Sequence, residues 1–200
     1  SSLATSRLHA LWTLDGLAAL QPGDVTRGLG DKDPHVRRDS AKLAERWLDD
    51  ADVFGRLAGL ADDSDTRVRF QVALTLGNTD RPEATPLLMS LALRDGEDSW
   101  FANGLMTATR TRSGAILNAL VTDKGFVANG NTSRAQLVKQ LTAAVGARGD
   151  VDELASVLHT LTDKSAPTSG TGSNVAWWRA AMITGLGQGL PRYRGDLGRL

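Results

Sequence analysis

Histidine, aspartate, glycine and serine are the residues through which this chain could do chemistry, and their spacing decides how far each one goes. His9, His35 and His159 stand far apart. None falls in the HxxxH or HExxH pattern that brings two imidazoles to one metal. The acidic groups Asp31/Asp33, Asp49/Asp50/Asp52 and Asp62/Asp63/Asp65 could offer oxygens to a hard cation. The loop glycine and distal glutamate of an EF-hand are missing, however. Asp far outnumbers Glu, and its short side chain bonds local backbone N–H groups, so these residues read as helix caps. Gly185-Leu-Gly187-Gln-Gly189 is not GxGxxG and follows a helix rather than a strand, while Gly170-Thr-Gly172-Ser173 lacks the lysine of a phosphate loop. No GxSxG elbow is present. No catalytic constellation emerges.

Tryptophan and arginine point to binding instead. Neighbours on a helix are about 100° apart, so adjacent Trp177 and Trp178 cannot both face one core stripe. Either both pack between neighbouring helices, or one is exposed as a candidate partner contact. Arg outnumbers Lys by 18 to 5, which suits bidentate salt bridges as well as phosphate contacts.

Composition narrows the classes. The 200 residues carry 23 Lys and Arg against 23 Asp and Glu. A net charge of zero argues against a partner that is a polyanion. Cys is absent, which removes disulfides, thiolate metal sites, Cys nucleophiles and covalent c-type haem attachment. No apolar run approaches the length of a membrane span. The chain is expected to be one repeat domain over residues 1–200, cut from a longer protein, with no cofactor of its own.

The elements that position these residues are set by an internal repeat. Asp33 to Asp65, Val36 to Val68, Arg37 to Arg69 and Ala41 to Ala73 are each 32 residues apart. The same step reaches Glu97 and Trp100. Each block reads as an amphipathic helix: Val36, Leu43, Ala44 and Trp47 share a face, as do Val68, Val72, Ala73 and Leu76. Asp33 and Asp65 sit at the N-cap, Pro34 takes the first helical position, and Gly77-Asn78 supplies a stop. Helical spacing also marks 53–61, 84–93, 114–121 and 151–161, whereas 123–131 and 164–174 read as looser stretches. The expectation is an all-α fold, an α-α superhelix of about eleven helices joined by short turns, without a sheet.

A Pro-bearing turn, an Asp cap and a Val-Arg start to the second helix resemble HEAT repeats, units that stack because one pair cannot bury its own apolar face. The resemblance implies a ladder between neighbouring repeats built from Asp33, Arg37, Asp65 and Arg69. It also implies a break at the third block, where Phe101 stands in place of Arg.

LHALWTLDGL (8–17), DPHVRRDSAKLAER (33–46), RVRFQVALTLG (67–77) and WWRAAMITGLGQGL (177–190) are similar to one HEAT region in particular. It belongs to large secreted planctomycete and verrucomicrobial proteins described as membrane-bound dehydrogenases. There a β-propeller precedes the repeats and a c-type cytochrome domain with CxxCH follows. The resemblance implies a periplasmic or secreted, non-catalytic scaffold between those domains. Its partner would be protein, either those neighbours or a separate chain, with neither nucleic acid nor membrane insertion. The alternative is a HEAT-like nucleic-acid binder or alkylpurine DNA glycosylase, which needs a basic groove. Arg37, Arg38, Arg67 and Arg69 form a basic spot, but nearby Asp residues offset it.

Overall fold

The computed structural model describes residues 3–167 and 176–193, which form helices joined by turns, with no strand among them. Residues 168–175, which hold Gly170, Gly172 and most of the second looser stretch, lie outside the described residues. Two compact units divide the chain, Ser1–Leu87 and Leu88–Leu200.

In the first unit, α1 (Ala4–Gly16), α3 (Pro34–Leu43) and α5 (Thr66–Leu76) form one layer, and α2 (Pro22–Leu29) and α4 (Ala51–Gly59) form a second. Two 3₁₀ turns, Ala44–Trp47 and Leu60–Asp62, follow α3 and α4. The repeat explains the stacking. Val36 and Val68 are 1% and 0% exposed, and Ala41 and Ala73 are 0% and 1% exposed. The Thr75 hydroxyl donates to the Ala41 carbonyl at 2.9 Å, so α5 lies directly on α3. Gly28 lets α2 approach α3 closely, because a Cβ there would overlap the Ser40 hydroxyl.

The helix α6 (Ala84–Asp95) spans the division between units. The second unit continues with α7 (Ser99–Ala108), α8 (Ser113–Thr122), α9 (Lys124–Ala128), α10 (Thr132–Arg148), α11 (Val151–Thr162) and α12 (Trp177–Gly189). Helix α10 packs against α7, α8, α11 and α12.

Aspartates do start these helices. The carboxylates of Asp33, Asp50, Asp65, Asp98, Asp123 and Asp150 accept backbone N–H groups at the starts of α3, α4, α5, α7, α9 and α11, and Asn131 caps α10. Each such cap contributes about 1 kcal/mol.

Two expectations need correcting here. The third block starts one residue later than the 32-residue step predicts, because Asp98 and not Glu97 is the cap of α7. Phe101 therefore takes the buried place of Val36 and Val68 at 1% exposure, and the position of Arg37 and Arg69 falls to Ala102. Residues 123–131 are not uniformly loose either. They contain α9, which Asp123 caps and which buries Phe126 and Val127. Five residues are too few to display a helical period in sequence.

The α10–α12 pair is the closest-packed. A Cβ on Gly185 would overlap the Lys139 carbonyl oxygen and come within 2.8 Å of Thr142 Cβ, and one on Gly189 would overlap the Ala143 carbonyl oxygen. Two of the glycines set aside as a nucleotide loop, Gly185 and Gly189, are thus where α12 meets the α10 backbone. Gly149, at φ 67°, ends α10 in the left-handed conformation that glycine adopts without strain.

Candidate functional site

The charged residues of the first unit form rungs whose register differs from the ladder the resemblance implies. Arg37 Nε and Nη2 bond the two carboxylate oxygens of Asp63, at 2.6 and 2.9 Å, rather than Asp65. Arg37 Nη1 also reaches the Asp31 carbonyl at 2.9 Å. One step earlier, Arg7 Nε and Nη2 bond Asp31 in the same bidentate way, at 2.5 and 2.6 Å. Arg7, Arg37 and Arg69 each lie four residues after their helix N-cap, and Asp31 and Asp63 lie two residues before the next one.

These positions follow from the turn. Each upstream aspartate also accepts the N–H of the capping aspartate, Asp31 from Asp33 and Asp63 from Asp65, both at 2.8 Å. One carboxylate thus fixes the turn and holds the arginine of the preceding repeat. Asp33 and Asp65 face their own helices: Asp33 accepts from the His35 N–H, and Asp65 accepts from the Arg67 N–H and pairs with the Arg67 guanidinium. Arg69, 5% exposed, donates to the carbonyls of Asp63 and Ser64 and to the Thr66 hydroxyl. The missed residues Arg7, Asp31 and Asp63 carried a signal, since Asp31 and Asp63 are themselves 32 residues apart.

The electrostatics match the geometry. The Arg7 hydrogen bond holds the Asp31 carboxyl below the ordinary carboxylate value. Burial pushes Asp63 up, but the bonds from Arg37 and the Asp65 N–H outweigh it and leave the group lowered. Asp33 is lowered first by the His35 N–H, and Asp65 first by the Arg67 side chain. The basic spot is neutralised from within: Arg37 sits on Asp63, Arg38 on Asp39, Arg67 on Asp65, and Arg69 on backbone carbonyls.

Trp177 and Trp178 both turn inward. Trp178 is 0% exposed and donates to the Pro167 carbonyl at 3.0 Å. Trp177 is half-buried, donates to the Val127 carbonyl at 2.9 Å, and packs against Phe126 with ring centroids 5.8 Å apart. Of the two openings, packing between helices is the one the structure takes. The most exposed tryptophan among the described residues is Trp100, at 79%, against 38% for Trp12. The one-residue shift at Asp98 moves it out of the core position and onto the solvent face of α7.

His9, His35 and His159 lie on α1, α3 and α11, and no three acidic or histidine groups gather to a metal-sized cluster among the described residues. No helix there is long and apolar enough to cross a membrane.

The second unit carries a different surface, a groove of about 440 Å³ along α7, α10 and the end of α12. Amide and cationic side chains line its walls, and Ala143, Ala144 and Ala147 line it between them. A smaller cleft of about 190 Å³ continues it toward Glu97 and shares Asn103, Gln136 and Gln140.

The family model for HEAT repeats matches residues 24–103. That span runs from α2 into α7 and contains both caps that set the period, Asp33 and Asp65, together with the Arg37–Asp63 rung. The all-α fold is HEAT-like. No curated protein and no solved structure matches the chain.

Proposed function

We propose that this chain is a non-catalytic HEAT-repeat scaffold that docks protein, either neighbouring domains of a longer chain or a separate partner. The observation that carries the reading is the HEAT-repeat match over 24–103, most of which falls in the first unit, where arginine–aspartate rungs tie successive repeat helices together. Charge used this way builds a rigid array and leaves protein contact to the remaining surface. The similarity of 8–17, 33–46, 67–77 and 177–190 to the planctomycete and verrucomicrobial repeat region supports a finer reading. On it, the chain is one repeat domain of a larger periplasmic or secreted protein, a spacer between a dehydrogenase-like propeller and a c-type cytochrome domain. This segment itself contributes no cofactor ligand.

An antibody to this segment, used on the source organism, tests the finer reading. The isolated parent should be several times larger than 21.3 kDa and give a c-type pyridine haemochrome spectrum. A haem-free product of about that mass removes the spacer role.

A further inference from the structure

We infer that the groove along α7 and α10 is the docking site, and that it takes an extended, acidic segment of a partner protein. The inference rests on the docking reading and adds which surface and what chemistry. Six polar side chains converge on the groove: Asn103, Gln136, Lys139, Gln140, Gln188 and Arg192. None of the six has a side-chain hydrogen bond or ion pair among the described residues, although Arg7, Arg37 and Arg134 elsewhere are each bonded to a carboxylate. Convergent polar groups with no partner among the described residues are poised for an external one.

The donor set selects the ligand. Primary amides donate and accept, which matches the alternating N–H and C=O groups of an extended backbone. Lys139 and Arg192 carry the charge, and no carboxylate lines the groove beside them. The only acid of the adjoining cleft, Glu97, is held at the far end by Arg134 and Asn131. Carboxylates of the ligand therefore belong beside Lys139 and Arg192. From Thr132 to Ala147, α10 is about 22 Å long, room for about six or seven extended residues.

A second observation falls on the same face. Trp100 adjoins Ser99 and precedes Asn103 by one helical turn, and both of those residues line the cleft. Its indole has no hydrogen-bond or ring partner among the described residues. An amphipathic, rigid ring on the rim of a polar groove is a typical anchor for a partner side chain. Nucleic acid is the poorer fit, since two cations on a chain of zero net charge make a weak phosphate track.

The test is fluorescence anisotropy of the full chain with a labelled peptide of alternating Glu and Ser, about twelve residues long. A Lys–Ser peptide and oligo(dT) serve as comparisons. Saturable binding of the Glu peptide is expected, about tenfold weaker in Lys139→Glu/Arg192→Glu and weaker in salt. A tryptophan emission change on binding should vanish in Trp100→Phe. Neither cation has a partner among the described residues, so the reversal should leave the circular dichroism intact. Absence of binding, equal binding of the Lys peptide, tighter binding of oligo(dT), or indifference to the reversal would each overturn the inference. The two readings fail differently. A native partner retained by the reversed variant removes the groove and keeps the docking function, whereas a wild-type protein that holds no partner removes both.

Discussion

Three glycines on α12 should respond to alanine with opposite signs. Gly185 and Gly189 lie against the α10 backbone, where an added Cβ would overlap the carbonyl oxygens of Lys139 and Ala143. Gly187 has nothing within 4 Å of the same added atom. A backbone carbonyl cannot rotate away as a side chain does, so α12 must shift outward and loosen its contact with α10. Overpacking of this kind costs about 1–3 kcal/mol. Alanine in a helix interior returns about 1 kcal/mol through its propensity. Gly185→Ala and Gly189→Ala should therefore lose up to about 2 kcal/mol each, and Gly187→Ala should gain up to about 1 kcal/mol. Urea unfolding followed by circular dichroism and tryptophan emission reads the difference, with buried Trp178 on the same helix as reporter. If Gly185→Ala stabilises as much as Gly187→Ala, the close α10–α12 packing is wrong.

Other consequences are equally accessible. Removing one partner of the Arg37–Asp63 pair, whose side chains are 15% and 4% exposed, should cost about 2–3 kcal/mol, between the values for surface and buried pairs. A double-mutant cycle with Arg37→Ala and Asp63→Asn should return a coupling of about 1 kcal/mol or more, and a value near zero would deny the rung. The lowered carboxyls of Asp31, Asp33, Asp63 and Asp65 bind fewer protons folded than unfolded as pH falls through about 4, so their stabilisation is present above that pH and lost below it. Thermal melts should show a flat plateau near neutrality and a decline below about pH 4, shallower in Asp31→Asn/Asp63→Asn. Acrylamide should quench the emission of Trp100 far more than that of buried Trp178, so Trp100→Phe should lower the quenchable fraction and Trp178→Phe should raise it.

Sequence carried the repeat and its caps further than it carried the site. Val36/Val68 and Ala41/Ala73 showed the period because buried positions tolerate few residue types, and Asp33 and Asp65 showed the caps because short carboxylates suit that geometry. Arg37's partner was harder to read. Asp63 and Asp65 are the same residue type two positions apart, and only the folded turn aims the first at Arg37 and the second at its own helix. Trp100 was obscured by a single-residue lengthening at Asp98, since an exact step of 32 aligns it with Val68. Helical geometry left adjacent Trp177 and Trp178 either both packed between helices or one exposed, and the Val127 and Pro167 carbonyls, which give each indole an internal acceptor, decide for packing. The groove was invisible because its walls come from residues 103–106, 136–147 and 188–192, which carry no linear motif.

The most direct test of the docking account is photo-crosslinking in the source cells, with benzoylphenylalanine in place of Trp100 and, separately, in place of Arg56, which is exposed on α4. The account predicts that position 100 crosslinks to one defined protein or domain through an acidic peptide, and that position 56 does not. Equal labelling at both positions, or no crosslink at position 100 beyond the chain itself, would contradict it.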